Sequence, residues 1–282
     1  MSIVVDHSKP PDLNLVVTSL CNAVLTIRFN DPRRKNAWSG QLLDGLTAAF
    51  NEAASDDRVK VVILTGTGDY YCSGVDFVSS FPLMRPSLLV EHLRQSNQKL
   101  FETFLLFPKP IIVAANGPAI GASVTSASLC DAIIASPEAT FHTPFDALGI
   151  VPEGCSSYWF KKVMGPAAAL RMLGQEGWKP TAQEARDIGL VREVVTDPCL
   201  MTRAQEIAES WASADKRRNL VEKGELSKLL QVNAVESKAL AEAFLSRPFL
   251  ESQHRAAQAK GKTKLAAFFW VLLHSQFLWS RL

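Results

Sequence analysis

The chain has 282 residues, 30 Lys and Arg against 28 Asp and Glu, a net charge of +2, and 47% hydrophobic against 21% charged residues. Such a chain suits one large soluble globular core with a helical appendage, and the balance excludes a disordered, fibrous or low-complexity protein. No basic block exceeds Asp215-Lys216-Arg217-Arg218, which reads as a solvated helix end, so nucleic-acid and membrane-surface partners have no electrostatic support.

In chain order, "LNLVVTSL" (13–20) and "AVLTIRFN" (23–30) are β-rich and separated by Cys21-Asn22, which predicts a hairpin. After "DPRRKNAWSG", Leu42, Leu43, Leu46, Ala49, Phe50 and Ala53 recur at helical spacing. The β-branched run "VKVVILTG" (59–66) predicts a strand covered on both faces. A long helix follows from about Ser87 to Leu106, then a buried strand "IIVAAN" (111–116), a small-residue helix "GASVTSASLC" (121–130) and a strand "AIIAS" (132–136). Strand, loop, helix and strand in this succession imply right-handed crossovers and a layered α/β core. From about residue 156 the periodicity is helical.

Five scattered cysteines with no CxxC pair argue against a disulfide framework or zinc site and for a reducing compartment. The first fourteen residues lack a basic stretch followed by an apolar run, so no secretory signal is expected there. The longest apolar run, "LAAFFWVLL" (265–273), is far short of the roughly 20 residues a bilayer span needs. The final Ser280-Arg281-Leu282 differs from the peroxisomal address Ser-Lys-Leu by a charge-conserving change.

Three loops after predicted strands are candidates for chemistry. "TGTGDYYCSGVDF" (65–77) is no dinucleotide fingerprint, because the third glycine position is Tyr71; what remains is the tight turn Ser73-Gly74-Val75-Asp76, either ordinary or presenting backbone N–H groups. "NGPAIGASVT" (116–125) runs through glycines into a helix start, which directs unpaired N–H groups at one point and suits an anionic oxygen. A hydrolase elbow centred on Ser123 is the rival, with Thr125 where that motif needs glycine. In "GIVPEGCSSY" (149–158), Glu153 reads either as the acidic first turn of a helix or as a carboxyl in an apolar pocket, where a disfavoured charge makes it a better proton acceptor near neutral pH.

"GTGDYYCSGVDF", "FPKPIIVAANGPAIGASVT" and "ATFHTPFDALGIVPEGCSSYWFKKVMG", in this order, resemble the crotonase superfamily of enoyl-CoA hydratases and isomerases over about residues 12–265, and within it the peroxisomal Δ3,Δ2-enoyl-CoA isomerases. The resemblance implies a spiral of ββα units with two near-perpendicular sheets over residues 1–200 and a helical trimerisation region over 201–265; the apolar extension over 266–282 departs from the family and would pack on a neighbour, cover the CoA tunnel or bind a partner. It also implies a homotrimer or dimer of trimers acting on an acyl-CoA thioester, with no metal and no cofactor beyond the coenzyme A of the substrate.

By motif, the thioester oxygen would meet the backbone N–H groups of Val75 and Ala122, after Gly74 and Gly121, with Ser73 and Asp76 flanking the first turn; such donors are worth about 3 kcal/mol each. The two glutamates of the hydratases fall on Thr125 and Phe145, leaving Glu153 as the base that moves a proton from C2 to C4 of a 3-enoyl chain while Phe145 keeps the pocket dry. Arg33, Arg34, Lys35 and the backbone around Ala37 would face the nucleotide end of CoA, or form a solvated basic loop. Asp76, Asp131 and Asp146 read as cap, helix-end and outward-facing acids, and His142 as a pocket residue or a hydrogen-bonded structural one. The function implied is a Δ3,Δ2-enoyl-CoA isomerase of fatty-acid β-oxidation in a peroxisome, reached through an import receptor. The alternatives are a hydratase of the same fold and a non-catalytic acyl-CoA-binding or assembly protein.

Overall fold

The structure, a computed structural model, describes residues 14–76, 85–259 and 261–279. Strands β1 (Val16–Cys21) and β2 (Val24–Phe29) form the hairpin, but its turn is Asn22-Ala23, one residue later than the sequence suggested. Both residues have positive φ, +49° and +64°, the twist that a two-residue hairpin requires, and Cys21 therefore pairs with Val24 inside the ladder.

β3 (Val61–Gly66), β4 (Ile111–Ala115), β6 (Ala132–Ala135) and β8 (Glu193–Val194) complete a six-stranded sheet in the order β1-β2-β3-β4-β6-β8, parallel beyond the first pair. β3 and β4 are buried along their whole length because the sheet is covered on both faces. Alternation divides them: Val62, Leu64, Ile111 and Val113 join the larger core, while Val61, Ile63, Ile112 and Ala114 face the opposite layer. β5 (Ala119–Ile120) and β7 (Phe141–His142) pair in a second, small parallel sheet, prolonged by bridges Cys72 to Ala119, Trp38 to Val75 and Thr140 to Thr181.

Helix α1 (Gly40–Ser55) starts where the Ser39 hydroxyl accepts from the Leu42 N–H at 3.3 Å, and it buries Leu42, Leu46, Ala49, Phe50 and Ala53, the predicted stripe without Leu43. α2 (Pro86–Leu106) is the long helix expected from Ser87. α3 (Ala122–Ser128) is the small-residue helix, buried at every position and shorter at both ends than expected. α4 (Phe145–Leu148) is one turn, and α5 (Ser156–Leu173) bends at Gly165-Pro166. α6 (Ala182–Asp187) opens with a Thr181/Glu184 capping box. α7 (Asp197–Ser213) lays Leu200, Ala204, Ile207, Ala208 and Trp211 on the outer sheet face, so residue 200 lies inside an element of the core. α8 (Asn219–Glu222), α9 (Leu226–Phe244), α10 (Arg247–Ala259) and α11 (Thr263–Trp279) form the helical third, and residue 265 falls within α11. No helix among the described residues is long and apolar enough to cross a membrane.

Two expectations are overturned at one buried ion pair. Arg218 is no solvated helix end: its side chain is 1% exposed and ion-paired through Nε to the equally buried Asp131 at 2.8 Å. Its remaining nitrogens donate to the Phe104 and Phe107 carbonyls at the end of α2 and to Leu129 O beyond α3, oxygens that a helix end leaves without partners. Asp131 also accepts from the Ile111 and Asn219 N–H groups, so it fastens β4 and α8 rather than ending α3. Arg218→Ala would leave that carboxylate buried and unpaired. Urea unfolding should show a loss of about 3–5 kcal/mol.

Candidate active site

Two backbone turns at the ends of β3 and β4 meet across the small sheet. The Ile120 N–H donates to Cys72 O at 3.0 Å, the Cys72 N–H to Pro118 O at 3.3 Å, and the Ser123 hydroxyl accepts from the Ile120 N–H at 2.8 Å and donates to Cys72 O at 3.0 Å. Gly74, at φ +86°, lies so close to the second turn that a Cβ would stand 2.6 Å from Ile120 O. Beyond the crossing, the N–H groups of Val75 and Ala122 have no hydrogen-bond acceptor among the described residues, and both residues line the same cavity of about 560 Å³. Ala122 is also the first residue of α3, where the helix dipole adds positive potential. Ser123 is buried and occupied in holding the turns together, which removes the hydrolase-elbow reading.

Glu153 faces this cavity from a sharp corner before α5. Gly154 and Cys155 both have left-handed backbones, φ +64° and +66°, and any Cβ on Gly154 would collide with Phe101 and with Thr125 Oγ1. Glu153 O accepts from the Ser156 hydroxyl at 2.7 Å, while the N–H groups of Cys155 and Ser157 donate to the buried Glu236 carboxylate of α9 at 2.6 and 2.9 Å. That carboxylate, not Glu153, caps α5, which resolves the two readings of Glu153. Glu153 is 6% exposed, and its Oε2 accepts one hydrogen bond, from Asn97 Nδ2 on α2 at 2.6 Å. Burial raises its pKa from 4.5 to about 7; the Asn97 bond offsets part of this, and the Glu236 charge adds to it. Glu236 is itself raised to about 6 by burial.

Asn97 is held in turn: Ser237 Oγ donates to its Oδ1 at 2.9 Å, and Asn233 Nδ2 donates to Gln98 O at 2.9 Å. Asn97, Asn233, Glu236 and Ser237 escaped the reading of the chain. Their signal was present as polar residues on apolar helical stripes, Leu89-Leu93-Asn97-Phe101 on α2 and Leu229-Asn233-Glu236-Leu240 on α9.

Of the residues named from sequence, Ser73, Gly74, Val75, Gly121, Ala122, Phe145 and Glu153 line the cavity together. Thr125 is buried with its hydroxyl bonded to Ala122 O at 3.1 Å, and Phe145 is buried in the wall; neither offers a carboxylate. A further acid, Asp44 of α1, stands exposed in the lining. Asp76, Lys35 and Ala37 stand outside the lining. Asp76 is paired with Arg34, and Lys35 lies over the Tyr70 ring at 4.6 Å. Their loop still touches the site, since the Ser73 N–H donates to Lys35 O at 3.0 Å. Asp146 is exposed. His142 contributes its carbonyl, which accepts from the Gly121 N–H at 2.7 Å, and its ring is outside the lining.

The mostly parallel sheet and the helical C-terminal third are those of the crotonase fold. The family model described as enoyl-CoA hydratase/isomerase matches residues 20–264, and the chain belongs to that family. It is 42% identical over 240 residues to enoyl-CoA delta isomerase 2 of Homo sapiens, covering 82% of this chain and 60% of that protein. It is 36% identical over 269 residues to enoyl-CoA delta isomerase 3, peroxisomal, of Mus musculus, covering 92% of this chain and 83% of that protein. Its fold superposes with a TM-score of 0.76 on the enoyl-CoA hydratase/isomerase of Pseudoalteromonas atlantica, 30% identical, over 88% of this chain and 97% of the other.

A carboxyl raised by burial weakens the fold as pH climbs from its unfolded value near 4.5 through about 7, because the native state must give up a proton it holds more tightly. Glu153→Gln should therefore stabilise the protein at pH 8, by on the order of 3 kcal/mol, and leave it unchanged near pH 4. Thermal unfolding of both proteins at the two pH values measures this.

Proposed function

We propose that the chain is a Δ3,Δ2-enoyl-CoA isomerase that converts a 3-enoyl-CoA into the trans-2-enoyl-CoA. The observation that carries this is the pairing, across one cavity, of a buried carboxyl, Glu153, with two N–H groups that have no acceptor among the described residues; by the resemblance, the positions of the two hydratase acids hold Thr125 and Phe145. The thioester oxygen lies between the N–H groups of Val75 and Ala122. Glu153 takes a proton from C2, charge moves onto the oxygen, and the same carboxyl returns the proton at C4 as the double bond becomes conjugated. A pKa near 7 suits both halves of that cycle, since the group must accept and release the proton with similar ease. Phe145, Leu93, Ile150 and Phe244 make the surroundings apolar, which keeps water from the enolate and favours isomerisation over hydration.

The relatives named enoyl-CoA delta isomerase support the reaction, and the relative named peroxisomal supports the organelle. Ser280-Arg281-Leu282 lie outside the described residues; where they end the mature protein, they serve as the address read by the import receptor. The exposed Arg33-Arg34-Lys35 loop, joined to the site through Ser73, receives the nucleotide end of CoA, and the protein assembles as a homotrimer or a dimer of trimers.

Purified protein given trans-3-hexenoyl-CoA should form the conjugated 2-enoyl thioester, followed by its absorbance. kcat/KM should fall below pH about 7 as Glu153 becomes protonated in the free enzyme, and Glu153→Gln should lower kcat by about 10²- to 10⁴-fold. Undiminished activity of Glu153→Gln would overturn the assignment. A further comparison, Asn97→Ala, removes a bond that favours the charged carboxyl, so its pH limb should move upward.

A further inference from the structure

The apolar part of the cavity lining is made by Leu93, Phe145, Leu148, Ile150 and Phe244. Behind this wall stands a second layer that does not touch the cavity. Phe244 of α9 packs on Phe249 of α10 with ring centroids 5.1 Å apart, and Phe249 packs edge-on against Phe269 of α11 at 6.4 Å and 81°. Phe268 meets Phe269 at 5.4 Å. Phe249 and Phe269 are 0% and 1% exposed, and the stack shares one hydrophobic cluster with Leu89, Leu93, Phe145 and Ile150. The outermost part of the wall thus comes from the extension, which folds against its own chain.

Resting on the isomerase reading, we propose that helix α11, through Phe269 behind Phe249 and Phe244, is the stop that sets the acyl-chain length this enzyme accepts. Along α2, Asn97 marks the level of the Glu153 carboxyl, Leu93 lines the cavity one turn further on, and Leu89, another turn on, is buried in the cluster and no longer lines it. Leu89 thus belongs to the layer behind the lining, one helical turn along α2 from Leu93. A chain long enough to press on Phe244 must move it back, and the space behind it is held by Phe249 and Phe269. Interiors packed to this density resist such a shift. Phe269 acts on specificity without touching substrate: it is a positioning residue for the Phe244 wall.

The test compares kcat/KM for trans-3-hexenoyl-CoA and trans-3-hexadecenoyl-CoA in the full chain and in Phe269→Ala. The expected result is a wild-type preference for the six-carbon substrate, a Phe269→Ala rate on that substrate within about twofold of wild type, and a long-to-short ratio raised about tenfold, the scale at which a few methylenes in a pocket discriminate. Phe269→Leu, a smaller change in volume, should shift the ratio in the same direction and keeps the test valid if Phe269→Ala fails to fold. A wild type equally active on both lengths, or a folded Phe269 variant with an unchanged ratio, overturns the stop. A wild type inactive at every chain length overturns the isomerase reading instead.

Discussion

The site depends on a close approach of two backbones. Gly74 lies against the Ile120 carbonyl where no other residue fits, and the Ser123 hydroxyl bonds to both turns at once. Each turn alone is an ordinary strand end. Crossed, they leave the N–H groups of Val75 and Ala122 in one cavity with no acceptor among the described residues. In the proposed reaction, fixed donors of this kind need no reorganisation when negative charge develops, so backbone geometry would matter there more than side-chain identity.

Against that fixed floor stands a carboxyl whose charge the fold disfavours. Its corner is held by Glu236, which satisfies the first N–H groups of α5 and, being itself acidic, raises the proton affinity of Glu153. One buried acid thus caps a helix while the other stays free to exchange a proton. Asn97, oriented by Ser237, holds one oxygen of Glu153 and so limits how far burial raises its pKa. Stability at neutral pH is given up locally in exchange for a proton affinity close to that pH.

Much of this was legible in the chain. β-branched runs marked β3 and β4, glycine loops marked both turns, and the acid between Pro152 and Gly154 marked the carboxyl that lines the cavity, because these features depend on local backbone chemistry. What was not legible depends on helices that are distant in sequence. Asn97 and Glu236 act through contacts 56 and 81 residues away. Arg218 looked solvated within a basic run, yet it satisfies carbonyls more than 80 residues away. The apolar extension carried three open readings, and the contact of its Phe269 with Phe249 depends on a helix the periodicity could not place. A polar residue on an apolar helical stripe is the pattern that would have exposed the α2 and α9 residues.

The most direct test of the proposed proton shuttle follows the label. A 3-enoyl-CoA deuterated at C2, turned over in ¹⁸O-labelled water, should give trans-2-enoyl-CoA with deuterium at C4 at early conversion and no ¹⁸O in the product. A product bearing ¹⁸O at C3, or one with no deuterium at C4 however early it is sampled, would contradict transfer by a single carboxyl in a dry cavity.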